Sequence, residues 1–281
     1  MGSGDGRTHS AQSKTVPTKG AFARPEKFSV PQSSEELISI LLEKAFTLAE
    51  AGVDRKQLLN FITQTLQAQP GDTVKVVSLV GGADSGKSTL ARDLIQALSD
   101  VGVVADTIST DDYNLGDRAW RWERFEGDEA RDPMGKWDFV FMNTKIEAIR
   151  NNGSECTVVK VPTYNQATGL AIDEGEENYA HEVGNVEVLI VEGDMARVND
   201  PDLAVYLDVP DEQRLQSRVS RDLQHRSETD SEKVVANFHL RQHNQHIPYT
   251  LPAAESADYV VKVEPDGKEW QYDIYLKFIS S

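Results

Sequence analysis

Apolar residues recur at helical spacing early in the chain. Leu37, Ile38, Leu41, Leu42, Ala45, Phe46 and Ala49 fall on one face, the signature of an amphipathic helix. Ser33-Ser34-Glu35-Glu36 ahead of them is a capping box, and Gly52 supplies a stop. Asp54 to Gln57 repeats the start signal for a second helix carrying Leu58, Leu59, Phe61, Ile62 and Leu66, which Pro70-Gly71 ends. Two such helices with one short connection predict a helical hairpin over 33–70. From there the pattern changes to short apolar runs at 76–80, 103–108, 157–161, 187–191 and 203–209, interleaved with helical stretches at 89–98, 211–226 and 231–246. That alternation predicts an α/β fold with a doubly wound, mostly parallel sheet. Residues 257–263 and the alternating run 270–279, across the turn Pro265-Asp266-Gly267, predict a strand pair at the sheet edge. Residues 1–32 are rich in Gly, Ser, Thr, Pro and Lys without any period, and are expected to be a disordered extension.

The run 76–80 ends in Gly81, and Gly86-Lys87-Ser88 follows four residues later. Placed between a strand and a helix, this is the phosphate-binding loop pattern of P-loop NTPases. Its glycines let successive N–H groups face phosphate oxygens, and the helix that opens beside them adds its positive end. Gly82, Ala83, Asp84, Ser85, Gly86, Lys87, Ser88 and Thr89 are therefore the candidate nucleotide-binding residues. Lys87 is expected against the β- and γ-phosphates, and Ser88 on Mg²⁺. Two carboxylates, Asp111 and Asp112, lie just past the end of the next strand, where ligands gather in open parallel sheets. A turn or helix cap would use the same residues. Glu192 ends the run 187–191, the position of an acid that meets Mg²⁺ directly or through water. Arg214, Arg218 and Arg221 are three or four apart and share a helix face, with Arg226 beyond them. Such a face is either solvated or a phosphate clamp.

Charge makes the clamp the more informative reading. The 281 residues carry a net charge of −17, which disfavours nonspecific binding to nucleic acid or anionic membrane. Basic clusters in such a chain are local devices. Another one, Arg118, Arg121, Arg124 and Arg131, follows the two aspartates; it either meets an anionic ligand or pairs with Glu123, Glu126, Asp128 and Glu129. The single cysteine, Cys156, permits no intrachain disulfide, and fits a plain buried thiol in a reducing compartment. No apolar run nears the roughly 18 residues of a membrane span, so a soluble, cytoplasmic protein is expected. His239, His243 and His246 fall at helical spacing without a carboxylate or Cys in step, which favours a solvated or substrate-facing edge over a metal site. The hairpin has two uses open to it, packing on the core or self-association into a homo-oligomer.

Residues 73–263 resemble the uridine kinase and phosphoribulokinase superfamily of P-loop kinases. The motifs that carry the resemblance occur in order: Gly81-x4-Gly-Lys-Ser-Thr89, Ser109-Thr-Asp-Asp-Tyr113, Asp132-Pro133 with Asp138, Pro162-x-Tyr164, Val191-Glu-Gly193, Arg218-x-x-Arg-Asp222 with Arg226, and Ala257-Asp258. The resemblance implies a nucleoside-kinase-like fold and Asp111 as catalytic base. It also implies a lid around 214–230 that brings Arg218, Arg221 and Arg226 to the phosphates, and Tyr164 in an acceptor pocket. It implies ATP with Mg²⁺, held by Ser88, Glu192 and Asp111, and a small hydroxyl acceptor contacted by Asp111, Asp112, Arg121, Asp132, Tyr164 and Asn165. Uridine kinases follow the tyrosine with Asp and, further on, with His and Arg that hold the nucleoside. Here Asn165 stands in that place and 166–171 contain neither, which points to another acceptor: a sugar, sugar phosphate or hydroxy acid. A uridine or cytidine kinase proper is the alternative. A nucleotide switch without an acceptor is a rival of another class, but the Asn-Lys-x-Asp motif of GTPases and the Leu-Ser-Gly-Gly-Gln motif of ABC ATPases are both absent.

Overall fold

A computed structural model describes residues 33–69, 73–126, 133–151, 158–165, 169–172, 181–196, 198–225, 230–266 and 269–277. The expectations for 1–32, Cys156, Arg131, Asp132 and Arg226 lie outside these residues.

The predicted sheet is present. In chain order the main elements are α1 (Ser34–Ala45), β1 (Phe46–Val53), α2 (Arg55–Ala68), β2 (Lys75–Gly81), α3 (Lys87–Asp100), β3 (Ala105–Ser109), α4 (Arg118–Arg121), α5 (Phe139–Asn151), β4 (Val159–Val161), β5 (Thr163–Asn165), β6 (Leu170–Ile172), β7 (His181–Val183), β8 (Val188–Gly193), β9 (Leu203–Asp208), α6 (Asp211–His225), α7 (Ser231–Arg241), α8 (Ala253–Ser256), β10 (Tyr259–Asp266) and β11 (Glu269–Lys277). Seven strands form the main sheet in the order β1-β11-β10-β9-β2-β8-β3. β3, β8, β2, β9 and β10 are parallel, while β11 runs antiparallel to both β10 and β1.

Strand parity sorts the core into two layers. Val76 and Val80 of β2, with Leu189 and Val191 of β8, face one layer; Val77 and Leu79, with Val188 and Ile190, face the other. The first layer is filled by Ile38 and Leu42 of α1, Met142, Ile146 and Ile149 of α5, and Ala254 of α8. The second takes Leu58, Ile62 and Leu66 of α2 and Leu90, Leu94 and Leu98 of α3.

This layering corrects the expected hairpin. α1 and α2 lie on opposite faces of the sheet, so their apolar stripes cannot pack on each other. Between them the chain is not a helix running to Gly52 but the edge strand β1, paired with β11 from Phe46↔Lys277 to Val53↔Tyr272. The stretch 33–69 is thereby built into the sheet. A chain beginning at Asp54 would lose Ile38, Leu42 and Phe46 from the first layer, each contributing about 1.5–3 kcal/mol on burial, and would leave β11 without its outer partner. Against a typical total of about 5–15 kcal/mol, such a truncation is expected to abolish cooperative thermal unfolding by circular dichroism. An unchanged transition would show that α1 and β1 are dispensable.

Two further expectations are corrected. The run at 157–161 does not enter the main sheet: β4 pairs antiparallel with β7, and β5 with β6, as separate ribbons. The helix expected over 231–246 ends at Arg241, and the chain continues as a wider π-type turn, Gln242–Thr250, that accommodates Pro248. His246 on that turn is buried rather than solvated. No helix among the described residues is long and apolar enough to cross a membrane.

Candidate active site

Three adjacent parallel strands deliver the candidate residues to one edge of the sheet. β2 runs into the phosphate loop, β3 into a 3₁₀ turn Thr110–Tyr113 that carries Asp111 and Asp112, and β8 into Glu192-Gly193. Val80 is in register with Gly193, and Ser109 with Glu192, so the three loops leave the sheet side by side. Gly193 is required by that proximity: a Cβ there would lie 1.9 Å from Thr110 Oγ1.

Lys87 is buried, and its ammonium donates to Gly82 O at 2.8 Å and to Asp194 Oδ1 at 2.9 Å. Burial alone would raise the Asp194 carboxyl, but the charge and hydrogen bond of Lys87, with Lys136 and Arg241 beyond, hold it at about 2. Burial pushes the neighbouring Glu192 above its ordinary range against the attraction of Lys87, with hydrogen bonds from Ser109 and Ser88 opposing and the Asp111 charge assisting. Glu192 thus stands within electrostatic reach of both Lys87 and Asp111. The Ser88 hydroxyl and the Glu192 and Asp111 carboxylates are hard oxygen donors, the ligand type that Mg²⁺ takes.

The two aspartates are separated by environment. Asp111 is exposed, with Asn114 Nδ2 3.3 Å from its Oδ1. Asp112 accepts the backbone N–H groups of Ser109 at 2.9 Å and Tyr164 at 2.8 Å, one on each oxygen. Burial nevertheless pushes its pKa up to about 6, those two bonds opposing and the charges of Asp111 and Glu192 adding. Through Asp112 the turn fixes β5, and hence Tyr164. Arg121, only 3% exposed, donates to Gly116 O at 2.7 Å and to the Tyr164 hydroxyl at 3.2 Å. Asn165 lies in the β5–β6 ladder opposite Leu170. Of the basic cluster after Asp111, Arg124 lies over the Trp120 ring, whereas Arg121 reaches Tyr164.

The three arginines of α6 that share a face by spacing divide. Arg214 is a buried strut, donating to Val209 O at 3.1 Å, Ala83 O at 3.3 Å, Gln242 Oε1 at 2.7 Å and the Asp211 carboxylate. Gly82 leaves room for it, since a Cβ there would meet its guanidinium at 2.3 Å. Arg218 and Arg221 instead reach Asp84 in the phosphate loop. Burial and the charge of Arg241 bring Arg218 down to about 10.

Several residues escape the sequence reading. Asp194 was available as the acid two places after Glu192. Lys136, buried over the Trp137 ring, donates to Gln245 Oε1 at 3.2 Å, and only the tertiary fold brings those two together. His246, which spacing placed on a solvated or substrate-facing edge, is buried nearby, and burial with the charge of Arg214 pushes its pKa well below the ordinary value.

The family model described as "Phosphoribulokinase / Uridine kinase family" matches residues 76–268. The phosphoribulokinase of Synechocystis sp. is 29% identical over 194 residues, covering 69% of this chain and 55% of that protein. The uridine kinase of Borrelia hermsii is 24% identical over 210 residues, covering 72% of this chain and 92% of that one. The chain spans about half the length of the phosphoribulokinases it matches. Among solved structures, a protein provisionally named a fructose transport system kinase, from Silicibacter sp. TM1040, superimposes with a TM-score of 0.53 at 26% identity, over 73% of this chain and 96% of its own. The D-glycerate 3-kinase of Cryptococcus neoformans shares the fold, with a TM-score of 0.53 at 14% identity, over 74% and 94%.

Proposed function

The chain belongs to the phosphoribulokinase/uridine kinase family, and from that premise we propose that it transfers the γ-phosphoryl group of ATP to a hydroxyl of a small, sugar-containing acceptor. The observation that carries the reading is the strand register that sets the phosphate loop with Lys87, the turn with Asp111, and Glu192 side by side at the ends of β2, β3 and β8. Phosphoryl transfer needs a cradle for the phosphates, a group that orients the attacking hydroxyl and positive charge for the moving group, and little else.

The N–H groups of 82–88 and the Lys87 ammonium hold the phosphate chain. Ser88, Glu192 and Asp111 would hold Mg²⁺, which would neutralise phosphate charge. Asp111, exposed and beside the cradle, accepts the proton of the acceptor hydroxyl. Asp112, each oxygen accepting one backbone N–H, positions Tyr164. Arg218 and Arg221 supply charge to the transferred group, and closure of their helix excludes water. The site serves a small molecule in a cytoplasmic setting; with a net charge of −17, nucleic acid and anionic membrane are poor partners.

The acceptor is proposed to carry an anionic group of its own, as a sugar phosphate or sugar acid does. Tyr164 keeps the aromatic ring, but Asn165 is neutral, so a bound pyrimidine nucleoside would find fewer partners, while Arg121 places a buried cation at the tyrosine. A panel of nucleosides, sugars, sugar phosphates and hydroxy acids, read by acceptor-dependent ADP release, tests both claims. An anionic sugar should exceed uridine in kcat/KM by roughly tenfold or more, the scale of unpaired polar groups in a pocket. Uridine above every anionic acceptor would establish a uridine kinase instead. ADP release indifferent to all acceptors would remove the kinase reading.

A further inference from the structure

Asp84 is the fourth residue of the phosphate loop, and its backbone sits in the left-handed region with φ of +66°, a conformation that costs a non-glycine residue on the order of 1 kcal/mol. Its side chain is only 3% exposed. A carboxylate buried beside a phosphate cradle is doubly unfavourable, through its own desolvation and through repulsion of the anion the loop is built to hold. It is accommodated because two guanidinium groups face it: Arg221 Nη1 lies 2.5 Å from Oδ1 and Arg218 Nη1 3.5 Å from Oδ2.

Each of those arginines also reaches a second acid, Asp222. Arg221 Nη2 is 3.1 Å from Oδ1, and Arg218 Nε is 3.7 Å from Oδ2. Asp222 belongs to the same helix, so it orients the two guanidinium groups relative to α6 and travels with them. Asp84 is the acid that ties them to the loop. Arg214, one turn earlier, fixes the base of α6 to Ala83 O, which leaves Asp84 to set the position of the helix further along.

We propose that the Asp84 side chain is a positioning residue, which holds Arg218 and Arg221 against the phosphate loop in the place where they meet the transferred phosphoryl group. The proposal rests on the reading of the site as a phosphoryl-transfer centre. Asp84 makes the clamp ready before nucleotide arrives, at the cost of a fixed negative charge near the phosphates.

Asp84→Gly and Asp84→Asn test it. Both residue types accept positive φ, so the loop conformation is retained and only the carboxylate is lost. In hydrogen exchange of the ligand-free protein, the amides of residues 215–225 should exchange faster in both variants. Binding of AMP-PNP with Mg²⁺, by calorimetry, should be unchanged or tighter. With the best acceptor of the panel, kcat should fall roughly 10²-fold, the effect of misplacing a reacting group by about an ångström. In a background with both Arg218→Gln and Arg221→Gln the same substitutions should add less than about twofold, because both guanidinium partners are gone. Unchanged exchange with unchanged or raised kcat in a protein that binds AMP-PNP would overturn the positioning role alone. Failure of the unsubstituted protein to bind AMP-PNP would overturn the phosphoryl-transfer reading and this proposal with it.

Discussion

Replacing Lys87 by alanine is expected to lower phosphoryl transfer by on the order of 10³-fold, the scale on which fixed electrostatic donors act in transition states. The side chain is buried, and three acceptors hold it in line with the loop: Gly82 O, Asp194 Oδ1 and, at 3.5 Å, Ser85 Oγ. It is therefore pre-positioned and loses little entropy when phosphate replaces one of these partners. Alanine removes this cation and also strips Asp194 of the partner that keeps it ionised at about 2. The edge of the cradle then turns from balanced to negative, which opposes the nucleotide as well as the chemistry. Both KM for ATP and kcat should worsen, in a coupled ADP assay with the best acceptor of the panel. A variant retaining a tenth of the activity would contradict the assignment of the loop.

Asp111→Asn is expected to reduce kcat by about 10²–10⁴-fold, as for loss of a positioned base, with nucleotide binding almost unchanged. Asp112→Asn should behave differently. An amide can accept only one of the two backbone N–H groups that Asp112 now satisfies, from Ser109 and Tyr164, and its own NH₂ would face the other. That mismatch should cost about 1–3 kcal/mol of stability and displace Tyr164, so Tm and acceptor KM should move more than kcat. Thermal melts and steady-state kinetics on both variants separate the roles. The larger kcat loss in Asp112→Asn would exchange the two assignments.

What could be read in advance, and what could not, follows from how far apart the determinants lie in the chain. The phosphate loop, Asp111 and Glu192 each sit at the end of an apolar run, where local spacing alone marks the strand end. The edge strand β1 has no such mark. Only its first and last residues, Phe46 and Val53, are buried, so it shows no alternation, and Ala49 continues the helical period of α1 by accident. Its conformation is dictated by β11, more than two hundred residues later. A separation of 109 residues likewise hides the Lys136–Gln245 contact. Arg214, Arg218 and Arg221 look equivalent by spacing, yet the first is a buried strut and the others face the loop, because only Arg214 lies over the carbonyls of Ala83 and Val209.

The pairing of β1 with β11 has a topological consequence. The outermost strand of the sheet comes from the beginning of the described chain, and its inner neighbour from the end. All main-sheet hydrogen bonding of β1 is to β11, while α1 and α2 pack down on either side of the sheet like the two arms of a clip. The clip would meet the same surfaces whether it were translated before the phosphate loop or appended after β11 by a tether long enough to return along α1. The sheet specifies where the segment sits, and is indifferent to which end of the gene encodes it.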